Sequence, residues 1–206
     1  MNIKLKKGEK RYINNAAEMY VIMKSILQRE NRVDRNREHL WTICLDSSNK
    51  ILNIELVSMG SVKSTVIEPM EVFSIPLQKR AVSLAIIHNH PSGKLVPSGA
   101  DKDITDRLIQ CGLMLKVPVL DHIIISEESY YSFAESGLLA ELEKSTKYVP
   151  DFILKERIKR QVDKAAKDSK QEGKIEMARA MKKKGYSGKE IMELTGLSRK
   201  EIVGIK

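Results

Sequence analysis

The apolar positions at the start of the chain follow a helical spacing. Between residues 19 and 27, apolar side chains recur at i, i+3, i+4 and i+7, which predicts an amphipathic helix. Asn14 or Asn15 is a suitable N-cap for it, so the helix is predicted to run from there to about Arg29. The polar stretch from 31 to 37 then breaks the pattern.

Two mainly apolar runs after this helix predict two paired strands. The runs are Leu40 to Leu45 and Ile51 to Val57, and the polar residues 46–50 between them form a turn, so a hairpin is predicted. Pro69 suits the first turn of a short helix. Pro76 is expected to end or kink that helix.

The next region alternates strand and helix patterns. The predicted elements are a strand, a helix, a second strand and an edge strand, at Val82 to His88, Asp101 to Met114, Val119 to Ser126 and Tyr130 to Phe133. Residues around Gly112, together with Pro118, are expected to close the helix. This order of elements predicts an α/β (α+β) fold, in which helices cover both faces of a mixed β-sheet.

Candidate chemistry is concentrated between the strand that ends at His88 and the helix that begins at Asp101. His88 and His90 are two residues apart, so a regular strand points both to one face. Two imidazoles and a carboxylate suit Zn²⁺, and three protein ligands leave a fourth position for water, whose pKa falls to about 7 on the metal. Ser98 is placed to donate to this water or to a developing oxyanion. The structural alternative is that Ser98 and Asp101 form a capping box, and the two roles are compatible.

The motif resembles that of a known family. Its spacing is His-x-His, seven residues, Ser, two residues, Asp, the signature of the JAMM (MPN-type) metalloproteases. With Leu-Asp-His at Leu120 to His122, it resembles the RadC branch of these JAB-domain proteins, over about Arg37 to Gly137. The resemblance implies the JAMM fold, with His88, His90 and Asp101 as zinc ligands. It also implies that Ser98 assists the tetrahedral intermediate.

The resemblance further implies a glutamate that acts as general acid and base near the first strand. Glu38 matches that position best, and Glu71 is the rival, although it matches a helix position of the RadC pattern. His122 lies in the next predicted strand. It is either a partner that orients a ligand or a buried histidine with ordinary hydrogen bonds.

Charge divides the chain into unequal parts. The net charge is +9, and residues 145–206 hold 17 Lys+Arg against 9 Asp+Glu, a net +8. Residues 1–144 together hold 19 Lys+Arg and 18 Asp+Glu, a net +1. We predict an N-terminal helical segment (1–36), a RadC-like domain (37–144) and a basic helical tail (145–206). In the tail, Thr195-Gly196 separates two short amphipathic runs, which predicts either a helix-turn-helix that contacts DNA or a helical hairpin that packs on protein.

Three function classes follow from these observations. The first is a zinc-dependent metallopeptidase that cleaves peptide or isopeptide bonds of a protein substrate. The second is a DNA-associated repair or mobile-element protein in which the JAMM fold is structural or acts on nucleic acid. The third is an inactive scaffold. Only Lys94 and Lys102 add positive charge to the motif, which favours a neutral substrate.

Composition also indicates a cellular compartment. Cys44 and Cys111 each lie in an apolar run, so buried thiols are expected rather than a disulfide. The N-terminus lacks the apolar region of a secretory signal, and no apolar run is long enough to span a membrane. A reducing cytoplasm is the expected location.

Overall fold

The computed structural model describes residues 2–5, 11–60 and 67–205. Its first eight helices and strands are α1 (Ala16–Leu27), α2 (Arg32–Arg35), β1 (Glu38–Leu45), β2 (Ile51–Gly60), α3 (Pro69–Gln78), β3 (Ser83–Asn89), α4 (Gly99–Leu115) and β4 (Val119–Ile125). They are followed by β5 (Tyr130–Ser132), α5 (Leu138–Leu142), α6 (Asp151–Lys183), α7 (Gly188–Thr195) and α8 (Arg199–Val203). The predicted mixed sheet between helices, with a helical C-terminal extension, is confirmed.

Five strands form one sheet in the described part of the chain, in the order β2-β1-β3-β4-β5. Only β3 and β4 are parallel within it; β2, β1 and β5 each run antiparallel to their neighbours. The two parallel strands end at the same level, because Asn89 at the end of β3 lies opposite Ile125 at the end of β4. The loops that follow β3 and β4 therefore emerge side by side.

Each face of the sheet packs against different helices. On one face, the predicted apolar stripe of α1 packs on side chains such as Trp41 and Ile123. The opposite face carries Leu40, Ile86 and other apolar residues, which pack on α3, α4 and α5. Residues 1–36, predicted as a separate segment, thus contribute their helix to the same core as the sheet.

Two predicted helix ends differ from the structure. Helix α3 begins at Pro69 as expected but runs two residues beyond Pro76, so this proline lies in the last turn and does not end the helix. Gly112 lies inside α4, which ends at Leu115 and is followed by Lys116 in the left-handed conformation. A Cβ at Gly112 would come within 2.7 Å of the carbonyl oxygen of Val117, so glycine allows the chain to fold back closely.

The chain divides into two compact units, Met1–Val149 and Pro150–Lys206. The boundary falls later than the predicted 144/145, because residues after 144 still contact α4. Ser145 donates to Asp106 at 2.6 Å, and the Tyr148 hydroxyl donates to Asp103 at 2.8 Å. Val149 is also buried.

The second unit contains α6, α7 and α8. Apolar side chains from the end of α6 and from the two short helices form its core, namely Ala178, Met181, Ile191, Leu197, Ile202 and Ile205. Ser187 and Ser198 cap α7 and α8 with capping boxes, and Gly196 in the left-handed conformation turns the chain between these helices. Two short helices joined by a tight turn fit both alternatives drawn from the sequence, the helix-turn-helix and the helical hairpin. Among the described residues, no helix combines the length and apolar character needed to cross a membrane.

Candidate metal centre

The first histidine of the motif, His88, lies near the C-terminal end of strand β3. All seven of its residues are buried, and its register places His88 opposite Leu40 of β1 and Ile124 of β4. His88 therefore lies on the face covered by α4. His90 follows directly, and its backbone N–H donates to the carbonyl of Ile125 at 3.0 Å, which keeps it beside the end of β4.

Helix α4 positions the third residue through its first turn. The Ser98 Oγ accepts from the backbone N–H of Asp101 at 3.1 Å, and the backbone N–H of Ser98 donates to Asp101 Oδ2 at 2.7 Å. The capping box predicted as the structural alternative is therefore present. It holds the carboxylate rigidly, because Oδ2 is fixed by the backbone while Oδ1 faces the histidines.

Three ligand atoms converge at this point. His88 Nε2 lies 2.9 Å from His90 Nε2 and 3.3 Å from Asp101 Oδ1. His90 Nε2 lies 3.7 Å from Asp101 Oδ2. Tetrahedral zinc with ligands at about 2.0–2.1 Å requires neighbouring ligand atoms roughly 3.3 Å apart. His88, His90 and Asp101 thus form a group that can hold a metal ion.

The hydrogen bond of His90 determines which of its two ring nitrogens carries the proton. His90 Nδ1 lies 2.5 Å from the carbonyl oxygen of Lys94, and a carbonyl can only accept, so Nδ1 carries the proton. In the neutral ring, Nε2 then presents a lone pair to His88. Burial lowers the pKa of His88 to about 4, against the opposing attraction of Asp101, so this ring is neutral near pH 7. Neutral imidazole is the form that binds metals.

A further histidine, His122, contacts the ring nitrogen of His88 that faces away from His90 and Asp101. His88 Nδ1 is 2.7 Å from Nε2 of His122, a residue of β4 that is 1% exposed. His122 Nδ1 is in turn 2.5 Å from Oγ1 of Thr105, which is also 2.5 Å from the carbonyl oxygen of Asp101. Burial lowers the pKa of His122 well below its ordinary value. Thr105 was not predicted from the sequence, although its position four residues after Asp101 puts both on one face of α4.

The two glutamates considered as general bases occupy different places. Glu38 is the first residue of β1, half-buried, and shares a face with Leu40 two residues later. Leu40 lies opposite His88, so Glu38 begins β1 on the same face of the sheet as the ligands. Glu71 is exposed in the first turn of α3.

Asn89 connects the strand of Glu38 to the strand of the ligands. Its Oδ1 accepts from the backbone N–H of His39 at 2.7 Å, and its Nδ2 donates to the carbonyl of Arg37 at 3.0 Å. Both bonds lie next to Glu38 in the chain, and Asn89 is 1% exposed. This side chain fixes the start of β1 against the end of β3. The sequence reasoning missed it, because Asn89 stands between the two histidines without a ligand role.

Two cavities are lined in part by the loop from 91 to 97. One, of about 370 Å³, is lined by His90, the following three residues and the ends of β3 and β4. The ion pair of Arg35 and Glu127, at 3.2 Å, lies beside it. The other, of about 630 Å³, is lined by Leu95 to Pro97, Tyr131 and residues at the start of α5. The loop 91–97 thus contributes residues to both cavities.

Comparison with known proteins identifies the family of the chain. A family model described as RadC-like JAB domain matches residues 13–138. The chain is 42% identical over 106 residues to a UPF0758 protein of Chlorobium chlorochromatii, covering 52% of this chain and 48% of that protein. It is 34% identical over 137 residues to a UPF0758 protein of Chlorobaculum parvum, covering 66% and 60%. The chain thus spans about half to three fifths of the length of these curated relatives. The family match covers more than half of the chain and includes the three residues that could hold a metal ion, and the chain therefore belongs to the RadC-like JAB domain family.

Proposed function

We propose that the chain is a zinc-dependent hydrolase that cleaves peptide or isopeptide bonds. The observation that carries the proposal is the convergence of two imidazole nitrogens and one carboxylate oxygen at the end of β3. An N/N/O set with three protein ligands is typical of catalytic zinc and leaves a position for water or substrate. When bound, the ion supplies a Lewis acid and lowers the pKa of a coordinated water toward about 7.

Glu38 is the residue we assign to proton transfer. It begins β1 on the ligand face, and Asn89 holds that strand end in place through Arg37 and His39. A carboxylate there accepts a proton from the attacking water and returns it to the leaving amine. Glu71, by contrast, is exposed on a different element, α3.

Ser98 is assigned to the oxygen of the substrate carbonyl. Its Oγ accepts from the backbone of Asp101, so the side chain is held in place while its O–H proton can still donate. A fixed donor stabilises negative charge better than a mobile one, because it needs no reorganisation during the reaction. Capping and catalysis are compatible roles for this hydroxyl.

A polypeptide substrate fits the surroundings better than nucleic acid does. Residues 90–93 line the first cavity and residues 95–97 line the second, so an extended chain that follows the loop contacts both. The first unit is nearly neutral, with 20 Lys+Arg and 18 Asp+Glu in residues 1–149. A phosphodiester substrate requires a surplus of cations, and Arg35 beside the first cavity is already paired with Glu127.

Cys44 and Cys111 are free thiols, which supports a reducing cytoplasm as the location.

A second function, DNA contact, is supported by the C-terminal unit alone. Residues 150–206 hold 16 Lys+Arg and 9 Asp+Glu, a net +7, on a helix-turn-helix connectivity. Aromatic residues are scarce there, so the contact we propose is mainly to phosphates. In this proposal, the tail places the hydrolase near nucleic acid without acting on it.

The first prediction concerns metal. Purified protein is expected to bind about one Zn²⁺ per chain, and His88→Ala and Asp101→Asn each remove one of three ligands. The loss of affinity should exceed the ~10–100-fold cost of losing an outer hydrogen-bond partner. Asp103→Asn is the matched control, since it changes an exposed carboxylate in the same helix. Zinc titration with a chromogenic competitor measures the affinities, and full retention by both ligand variants would refute the site.

The second prediction concerns hydrolysis. Glu38→Gln should keep zinc but lose roughly 10²–10⁴-fold in rate, because an amide cannot accept the proton. Glu71→Gln should leave the rate unchanged. New termini in a library of peptides and isopeptide-linked conjugates, counted by mass spectrometry, provide the readout. If Glu71→Gln were the inactive variant, the base would be misassigned; if the zinc-loaded wild type produced no termini, peptidase activity would be excluded.

The third prediction concerns the tail. Full-length protein should bind labelled duplex DNA with an affinity that falls steeply with salt, with a log–log slope near −0.9 per phosphate neutralised. A chain ending at Val149 should keep zinc and lose DNA binding, since only +2 of net charge remains. Titrations at two salt concentrations decide the matter. Equal DNA binding by both chains would move the contact to the first unit, and binding by neither would overturn the proposed DNA contact.

A further inference from the structure

The hydroxyl of Thr105 has two close polar neighbours, and only one hydrogen to share. The carbonyl oxygen of Asp101 and Nδ1 of His122 each lie 2.5 Å from Oγ1. A carbonyl oxygen carries no hydrogen, so the short contact to Asp101 is favourable only if the hydroxyl donates to it. Oγ1 is then an acceptor toward the ring, and His122 Nδ1 must carry the proton and donate to Oγ1.

The position of the proton on His122 determines the position of the proton on His88. This ring is 1% exposed and stacks on Phe133, at 4.8 Å between ring centroids, and a charged imidazolium is unfavourable in so buried and apolar a position. A neutral imidazole with its proton on Nδ1 has a lone pair on Nε2. His88 Nδ1 lies 2.7 Å from that lone pair and must therefore donate to it. The remaining nitrogen of His88, Nε2, is left without a proton and faces His90 and Asp101.

We propose that Thr105 and His122 are positioning residues that fix the tautomer of His88, so that its Nε2 lone pair faces the metal site. The backbone carbonyl of Asp101 sets the donor direction of every hydrogen bond from Thr105 through His122 to His88. The side chain of the same residue supplies the carboxylate ligand. The residue that provides one ligand thus also orients another. This inference rests on the metal centre of the proposed function and goes beyond it by assigning Thr105.

Substitution at Thr105 separates the hydroxyl from the shape of the side chain. Thr105→Val keeps the branched shape but leaves His122 Nδ1 without its acceptor. His122 is then expected to place its proton on Nε2 and donate to His88, which moves the proton of His88 toward the metal side. Thr105→Ser keeps the hydroxyl and is the matched control. Zinc affinity should fall about 10–100-fold in Thr105→Val and stay within about threefold of wild type in Thr105→Ser.

Nitrogen NMR of the imidazole rings reads the tautomers directly, in metal-free and zinc-loaded protein. The chain contains four histidines, so the spectrum of protein labelled with ¹⁵N-histidine is simple to assign by substitution. We expect the proton of His122 on Nδ1 in wild type and Thr105→Ser, and on Nε2 in Thr105→Val. Because wild type is measured first, the test does not depend on whether Thr105→Val folds.

The outcomes distinguish this inference from the proposed function. A proton on Nε2 of His122 in the wild type, or equal zinc affinity in Thr105→Val and Thr105→Ser, would overturn the role of Thr105 and His122. A wild type that binds no zinc would instead overturn the metal centre. The metal-free spectrum would still decide which nitrogen of His122 is protonated.

Discussion

The structure of the site depends on one contact, the reciprocal capping bonds between Ser98 and Asp101 at the start of α4. They fix the first turn of the helix and, with it, the direction of the Asp101 carboxylate. One oxygen of that carboxylate satisfies the backbone N–H of Ser98, and the other faces His88 at 3.3 Å. A carboxylate held in this way loses little conformational freedom on binding a cation, because folding has already removed it.

Side chains alternate between the two faces of a strand, and this explains why the site lies at the end of an otherwise apolar face of the sheet. In β3, Leu84 and Ile86 contribute to the core beneath α4, and His88 continues the same alternation at the end of the strand. In β4, His122 shares that face with Ile124. The site is thus formed where an apolar face changes to polar side chains near solvent. Burial keeps the rings of His88 and His122 neutral there, which metal binding requires.

Local patterns predicted the features that depend on neighbouring residues in the chain. The spacing of His88, His90 and Asp101 between a buried strand and a helix indicated the candidate ligand set, and the helix caps at Asn15 and Ser98 follow from short-range hydrogen bonds. Pro76 was expected to end or kink helix α3, but the helix continues for two more residues, because a proline removes only its own hydrogen bond to the carbonyl four residues earlier. The left-handed Lys116 was missed in favour of Gly112, which is required instead for the close approach of Val117.

Features that join distant parts of the chain were not accessible from one sequence. Asn89 acts on residues about fifty positions away, and Thr105 gains its meaning only when α4 packs on β4 beside His122. The extent of the first unit likewise depends on contacts from residues 145–149 to α4. Tertiary packing determines these contacts, and the periodicity of the sequence does not contain them.

X-ray absorption at the zinc edge of the loaded protein tests the metal centre most directly. The arrangement of His88, His90 and Asp101 predicts only nitrogen and oxygen neighbours, at about 2.0–2.1 Å, with the outer-shell scattering of two imidazole rings. Asp101→Asn should alter this spectrum, whereas Asp103→Asn should leave it unchanged. A sulfur neighbour at about 2.3 Å, or a first shell without imidazole scattering, would contradict the assigned site.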